Sequence, residues 1–352
     1  MMLRMLRLAI AVPLLCGATN PPPVPDALQP YVTEAGIFDP GDYAWMRGVF
    51  EDATPQQTEA YRAINEWANA CFASAQERLR GDLAAAGFPE VDVSRLPVGA
   101  SDCLYFRQPF VQDRSSFATF EEGLAEARPV ADTFLAALRI AEQASAPHAS
   151  RETGPLLRRQ LETRTVGEQM ARMAFTWGLG MEPDSPQLGP IARSIFQYRL
   201  SAAMSRRDEA NTKWLKAVIA ERGWPKISEV GAEASSKAWL LVQHADHDPL
   251  FQLQALRLME PLVEQDEVSK QNYAYLYDRV MLKLAGKQRY ATQVLCTDGV
   301  RRPQPLEDEA NVDVYRAEMD LEPVANYIAS FNEWVSCEAL AENSRNNRET
   351  GR

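Results

Sequence analysis

The spacing of apolar residues along the chain predicts a mainly helical protein. Between Thr54 and Gly87, apolar residues follow one another at steps of three and four positions, which places them on one face of an α-helix. The segment also begins with a capping pattern, because Thr54 can cap the helix, Pro55 suits its first turn and Gln57 can complete a capping box. Gly87 is a residue type that commonly follows a helix end. The sequence therefore predicts a helix from Pro55 to about Gly87.

The same spacing predicts further helices, separated by breaks that contain Pro, Gly and polar residues. A second helix is expected from about Thr119, through Pro129, to about Ala144, and residues 144–156 are expected to form a linker or long turn. The later helices are expected at Leu156 to Trp177, Ile191 to Arg222 with a break near Ser205, 228–244, from Asp248-Pro249, from Ser269 to Gly286, 309–319 and 322–331.

One segment near the C-terminus has the pattern of a β-hairpin. Residues 288–296 are rich in β-branched and aromatic residues, Asp298-Gly299 is a strong turn pair, and Val300 to Leu306 can form the returning strand. We therefore expect a mainly α fold, with helices packed as in a bundle and one small antiparallel β-hairpin near 288–306.

The N-terminus has the pattern of a bacterial secretory signal peptide, which we place at residues 1–18. Two arginines precede an apolar run over residues 8–15, which is too short to cross a bilayer, and small residues and prolines follow. We expect cleavage near Ala18 and export to the periplasm or out of the cell. The alternative is a lipoprotein with a lipid anchor on Cys16, although the residue before Cys16 is not small.

The breaks in the pattern also divide the rest of the chain into segments. The predicted segments are a Pro-rich linker (19–30), an N-terminal helical region (31–150), a C-terminal helical domain that contains the hairpin (151–335) and a polar tail (336–352).

Composition restricts the class of partner. The chain of 352 residues has 37 Lys and Arg against 48 Asp and Glu, a net charge of −11. An acidic protein repels phosphate backbones, so we expect no nucleic-acid partner. No segment has the 18 consecutive apolar residues of a membrane span, so we expect no integral span in the mature chain.

Four cysteines remain once the signal peptide is removed. An even number of cysteines in an exported chain favours disulfide bonds, although three connectivities are possible for four cysteines. We expect the pairs Cys71–Cys103 and Cys296–Cys337, because each pair lies within one predicted region.

The densest group of chemically active side chains is the segment Gln243–Asp248, which contains two of the three histidines of the chain. His244 and His247, together with Asp246, could transfer protons or bind a divalent metal ion, and Gln243 could bind a ligand. Structural roles fit as well. A histidine in the last turn of a helix interacts favourably with the helix dipole, and Asp248 before Pro249 has the pattern of an N-cap.

Asp278 and Arg279 form a second candidate group, within a helix that is otherwise apolar. Arg279 could bind an anion while Asp278 orients a neighbouring side chain, or the two could form a buried ion pair that fixes the hairpin to the helix. Alternation along the predicted strand gives a row of uncharged polar groups that either lines a pocket or faces solvent: Gln288, Tyr290 and Thr292 on one face, and Gln293 on the other.

The C-terminal third of the chain, about 208–330, resembles the bacterial domain-of-unknown-function family 6624. The resemblance depends on an ordered set of short motifs: Asp208, Asn211 and Leu215; Gly223-Trp224-Pro225; Val230-Gly231; Trp239 to Asp246; Phe251-Gln252; Tyr275 to Val280; Gly286 to Tyr290; Thr292-Gln293; Glu307-Asp308; Val312-Asp313; and Arg316.

Two departures from the family pattern stand out. Ala291 occupies a position where the family has Gly, and the paired Arg and the Val-Gly-Leu of the family are replaced by Tyr315-Arg316 and Met319-Asp320-Leu321. The resemblance implies no activity, and no cofactor is indicated.

Three functional hypotheses follow for the His/Asp/Arg/Gln cluster. We expect an exported protein that binds a small polar or anionic ligand, or a protein partner, through this cluster. The alternative is a hydrolase-like enzyme in which His244 is the general base, Asp246 or Asp278 orients it and Arg279 stabilises negative charge. In the second alternative the cluster is only a structural hydrogen-bond network.

Overall fold

A computed structural model of the chain describes residues 22–104, 106–151, 156–178, 185–297, 299–334 and 337. These residues are mainly helical and include one two-stranded antiparallel sheet, so the predicted fold class is confirmed. The helices are α1 (Pro55–Ala85), α2 (Phe117–Arg151), α3 (Leu156–Gly178), α4 (Pro190–Arg222), α5 (Ile227–Val230), α6 (Ala232–Gln243), α7 (Pro249–Val263), α8 (Lys270–Ala285), α9 (Val312–Glu318) and α10 (Val324–Trp334).

The predicted start of α1 is confirmed in detail. The Thr54 hydroxyl accepts a hydrogen bond from the Gln57 backbone N–H at 3.3 Å, and the Gln57 side chain accepts one from the Thr54 N–H at 2.9 Å. Asp248 is the N-cap of α7, as predicted, and accepts a hydrogen bond from the Phe251 N–H at 2.9 Å. Such caps satisfy N–H groups that have no partner within the helix.

Three predictions about helix bounds are wrong. Residues 144–151, which were expected in a linker, are the last turns of α2. The break expected near Ser205 is absent, because α4 is a continuous helix from Pro190 to Arg222. The single helix expected over 228–244 is divided at Gly231, whose φ of 85° ends α5 before α6 begins.

The hairpin is present but shorter than predicted. Its strands are β1 (Val294–Thr297) and β2 (Val300–Pro303), paired antiparallel with Val294 opposite Pro303. The preceding residues, expected to belong to the first strand, instead form a loop around the carboxylate of Asp278 on α8. The expected alternation of side chains from Gln288 to Gln293 is therefore wrong, because these residues are not a strand.

Apolar packing connects the N-terminal and C-terminal parts of the chain. One cluster combines Leu83 and Val93 with side chains of α6, α7 and α8. A second combines aromatic residues near the N-terminus, such as Trp45 and Phe106, with α2 and α4, and a third joins α2, α3 and α4. The core therefore runs across the boundary predicted at residues 150 and 151.

Both expected cysteine pairs lie at disulfide distance. The Cα atoms of Cys71 and Cys103 are 5.9 Å apart, and those of Cys296 and Cys337 are 5.5 Å apart. The first pair joins α1 to a 3₁₀ turn, and the second joins β1 to the residues after α10. The predicted signal peptide, including Cys16, lies outside the described residues, as does nearly all of the predicted tail.

Two further observations concern the predicted linker and the membrane. Residues 22–30 are packed against the core, since Leu28 is fully buried and the Trp67 indole donates a hydrogen bond to the Pro22 carbonyl at 3.1 Å. None of the described helices combines the length and the apolar character needed to cross a membrane.

Candidate functional site

The predicted polar segment after α6 lies at a cavity of about 370 Å³. Its wall combines side chains from α3, α4, α8 and two loops, and most of them are charged or polar. The lining residues are Pro97, Val98, Arg107, Arg172, Met204, Ser205, Asp208, Glu209, His244, Asp246, His247 and Arg279.

His244 is held at this cavity by a buried carboxylate on α3. His244 Nδ1 lies 2.5 Å from Oε1 of Glu168, whose side chain is fully buried. Arg172 Nε also lies 3.2 Å from Nδ1, but an ionised carboxylate can only accept hydrogen bonds, and its contact of 2.5 Å with Nδ1 requires a proton on that nitrogen. We therefore assign the proton to Nδ1, which donates its hydrogen bond to Glu168. The other ring nitrogen, Nε2, has no hydrogen-bond partner among the described residues. This arrangement fixes the imidazole and leaves its second nitrogen available.

Glu168 is ionised because positive partners surround it. Burial alone would raise the pKa of the Glu168 carboxyl, but its hydrogen bond to His244 and the charges of His244 and Arg172 outweigh burial and lower it. Arg172, one helical turn further along α3, forms an ion pair with Glu168. The buried negative charge is thus compensated from two sides, as buried charges generally must be.

Asp208 on α4 completes the group and has the opposite pKa shift. Both carboxylate oxygens of Asp208 accept hydrogen bonds from Arg172 Nη2, at 2.9 and 2.8 Å. Burial, together with repulsion from Glu168 and Asp246, outweighs the attraction of Arg172 and raises the pKa of Asp208 to about 7. The site therefore contains two carboxyl groups with pKa values shifted in opposite directions, a frequent feature of sites that transfer protons.

Asp246 and Arg279, both predicted site residues, form an ion pair on another wall of the cavity. Arg279 Nε donates to Asp246 Oδ1 at 2.8 Å, and Arg279 Nη2 contacts the second oxygen. Lys283 Nζ lies 2.5 Å from Asp246 and 2.7 Å from the side-chain oxygen of the buried Gln252. Burial opposes ionisation of Asp246, but Arg279 and Lys283 outweigh burial and lower its pKa. Asp246 is therefore occupied by its cationic partners, and it does not orient His244.

His247 also lines the cavity, whereas Gln243 does not. Burial lowers the pKa of His247, against the attraction of Glu209, Asp248 and Asp246. Gln243 is buried in the last turn of α6, and its carbonyl accepts a hydrogen bond from Gln252 at 3.3 Å.

The remaining predicted residues form a separate network around the loop before β1. The fully buried Asp278 accepts hydrogen bonds from the N–H groups of Arg289, Tyr290 and Thr292 at 2.8 to 2.9 Å, and from the Thr292 hydroxyl at 2.9 Å. The Gln288 side chain bonds the backbone of Gln293. Asp278, Gln288, Tyr290, Thr292 and Gln293 do not line the cavity. Asp278 and Arg279 are not paired with each other either.

The two residues that define the site most strongly, Glu168 and Arg172, were not among the predicted site residues. Their signal in the sequence is weak but present. Leu157, Leu161 and Thr165 form the buried face of α3, and Glu168 continues that face at the next helical step. A carboxylate on a buried helical face needs partners, and the residue one turn later is an arginine.

No metal centre is evident in the part of the chain that the structure describes, because no three His, Cys, Asp or Glu side chains there are arranged to hold an ion. The metal interpretation of the segment from Gln243 to Asp248 therefore receives no support from the geometry.

The fold and the cavity define a mainly helical protein with two cysteine pairs and a buried Glu–His pair at a charged cavity. Residues 196–337, the C-terminal portion of the chain, match the model of a family of unknown function (DUF6624), which confirms the resemblance of the motifs over 208–330. Searches of curated proteins and of solved structures found no match. Glu168 and Arg172 precede the matched residues, so the site combines the family segment with a helix outside it.

Proposed function

We propose that the protein is a hydrolase-like enzyme in which His244 is the general base and Glu168 is the residue that positions it. The observation that carries the proposal is the contact between His244 Nδ1 and the buried Glu168 carboxylate at 2.5 Å. This contact leaves His244 Nε2 without a hydrogen-bond partner in the described chain. His244 itself lines an open cavity. A fixed imidazole whose second nitrogen has no protein partner at a cavity is the arrangement that a general base requires, so this geometry favours a chemical role.

In this proposal water attacks an electrophilic carbonyl carbon of the substrate while His244 Nε2 accepts the proton of the water. The imidazolium is stabilised by the ionised Glu168, and it returns the proton to the leaving oxygen when the bond between carbon and that oxygen breaks. Asp208, with a pKa of about 7, is a second proton donor at the same wall.

The substrate class follows from the cations of the cavity. Arg172 and Arg279 are paired with carboxylates, whereas Arg107 at the cavity wall has no hydrogen-bond or ion-pair partner among the described residues. A guanidinium is well suited to bind a carboxylate or phosphate group. The proposed substrate is therefore a small molecule with an anionic group close to the bond that is hydrolysed.

Two matched esters test this proposal. Mono-4-nitrophenyl fumarate carries a free carboxylate that its trans double bond keeps away from the ester carbonyl, and 4-nitrophenyl crotonate is its neutral counterpart of equal acyl length. We expect faster hydrolysis of the anionic ester, with kcat/KM lowered about 100-fold in His244→Gln, the usual size of a general-base contribution. Glu168→Gln should lower kcat/KM as well, and Arg107→Gln should remove the preference for the anionic ester.

Lys213→Gln, a change at an exposed position of α4, provides the control and should leave both rates unchanged. A kcat/KM of His244→Gln equal to that of the wild type would contradict the proposal. Rates for both esters equal to those in buffer without protein would contradict it as well.

A second candidate function is binding of a small polar ligand without turnover. The observation in its favour is that Arg172–Asp208 and Arg279–Asp246 place preformed charges of both signs at one cavity. Such a wall is complementary to a zwitterion. A panel of free amino acids in a thermal-shift assay tests it: a ligand should raise the melting temperature of wild type but not of Arg279→Gln.

Export is also part of the proposal. The two cysteine pairs at disulfide distance support it, because disulfides persist in oxidising compartments. N-terminal sequencing of the mature protein, expressed in a bacterial host, should find a start near residue 19. A lipidated N-terminus at Cys16 would instead support the lipoprotein alternative, and an intact Met1 would contradict export.

A further inference from the structure

A second and larger cavity, of about 570 Å³, lies between α2, α4 and the loop before the first buried tryptophan, Trp45. It involves a different face of α4 from the His244 cavity, because Arg199, Ala202 and Arg206 line it at helical steps of three and four. The volume is within the range of ordinary small-molecule sites. None of the functional hypotheses above involves this cavity.

The charge of this cavity is opposite to that of the protein. Four arginines line it, two from α2 and two from α4, against one acidic residue, Asp39, in a chain of net charge −11. Arg199 forms an ion pair with Asp132 at 2.6 Å. Arg128 and Arg139 have no hydrogen-bond or ion-pair partner in the part of the chain that the structure describes. Two guanidinium groups are therefore available to an anion.

Much of the rest of the wall is apolar. Ile37, Phe38, Leu124 and Leu135 line the cavity together with the arginines. From these two parts of the wall we infer that this cavity binds an organic anion, with a carboxylate or phosphate head group on the arginines and an apolar body against these side chains.

Three probes of equal chain length test this site by isothermal titration calorimetry of the full-length protein: octyl phosphate, octanoate and 1-octanol. We expect at least one of the two anions to bind at least tenfold more tightly than 1-octanol. The anion that binds more tightly identifies the head group. Inorganic phosphate should bind at least tenfold more weakly than octyl phosphate, because it lacks the apolar body.

The variants separate this site from other charge effects. Arg128→Gln with Arg139→Gln should weaken binding of the preferred anion at least tenfold, whereas the matched exposed pair Arg95→Gln with Lys213→Gln should leave it unchanged. Arg107→Gln should also leave the affinity unchanged, since Arg107 belongs to the His244 cavity.

The inference would be overturned by equal affinity for 1-octanol and both anions, by unchanged affinity in the Arg128 and Arg139 double variant, or by absence of binding of both anions at millimolar concentration.

Discussion

The role of a single histidine, His244, depends on which groups its two ring nitrogens face. It is the C-cap residue of α6, where a positive charge interacts favourably with the helix dipole, and its Nδ1 contacts the Glu168 carboxylate. Both interactions stabilise the imidazolium that forms when Nε2 accepts a proton. Residue by residue, the structure therefore supplies what a general base needs: a fixed ring, a compensating negative charge and an available nitrogen.

Replacing Glu168 with Gln should lower the free energy of unfolding by about 3 kcal/mol at neutral pH, because it removes the buried carboxylate that contacts both Arg172 and His244 and leaves Arg172 paired with Asp208 alone. The pKa of Glu168 is lowered in the folded protein, so its stabilising contribution is present above the unfolded pKa and is lost as the pH falls through the folded pKa. Urea unfolding of wild type and variant should show a difference that shrinks on acidification. A difference that is independent of pH would contradict an ionised Glu168.

At the scale of elements, the loop before β1 shows why the residue pattern wrongly predicted a strand in this segment. Residues 288–293 include Tyr290 and Thr292, two residue types that favour strands. The N–H groups of Arg289, Tyr290 and Thr292, however, bond the buried Asp278 carboxylate and are not available to a neighbouring strand. Within this loop Ala291 has a φ of 51°, in the left-handed region that favours glycine. The composition of residues 288–293 carries no information about this competing partner, since Asp278 lies outside the segment, on α8.

Many of the helices were predictable, because several have a local signal at an end. The caps at Thr54 and Asp248 are examples in which sequence and structure agree. The site was predictable only in part. A dense polar segment and a charged pair identified His244, Asp246 and Arg279. Glu168 contacts His244 only because α3 packs on α6, and the residue pattern of one sequence does not encode that packing.

Two glycines at opposite ends of α1, Gly48 packed against its first turns and Gly81 within its last turns, should respond oppositely to replacement by Ala. A Cβ on Gly48 would overlap the Gln57 carbonyl and the Tyr61 side chain of α1, so Gly48→Ala should cost about 2 kcal/mol of unfolding free energy. Gly81 is exposed within α1 and has nothing near its added Cβ, so Gly81→Ala should raise the unfolding free energy by about 0.5–1 kcal/mol. Chemical denaturation measures both. Equal effects of the two changes would contradict the close approach at Gly48.

At the scale of the whole molecule, α4 separates two cavities of different character. The smaller cavity has charges of both signs and the Glu–His pair, and the larger one has four arginines beside apolar side chains. Three apolar clusters, which together involve α2, α3, α4, α6 and α8, pack the helices that line both cavities. Apolar side chains in the N-terminal half of the chain therefore pack against the family segment and support it.

The cysteine pairs should contribute to stability at this scale. Replacing Cys71 and Cys103 together by Ala should lower the free energy of unfolding by about 3–4 kcal/mol, because a loop with a sequence separation of 32 residues is no longer closed in the unfolded chain. A reducing agent should lower the melting temperature of the wild type, and should have no effect on a variant that lacks all four cysteines. Insensitivity of the wild type to reduction would contradict both bonds.

The most direct test of the central claim is the tautomer of His244, measured by long-range ¹H–¹⁵N correlation NMR of histidine-labelled protein. The chain has three histidines, and His244→Gln assigns the signal by its disappearance. Our account predicts that neutral His244 carries its proton on Nδ1, bonded to Glu168, and that Nε2 is the nitrogen that gains a proton on acidification. A neutral ring protonated on Nε2 would contradict the proposed general base.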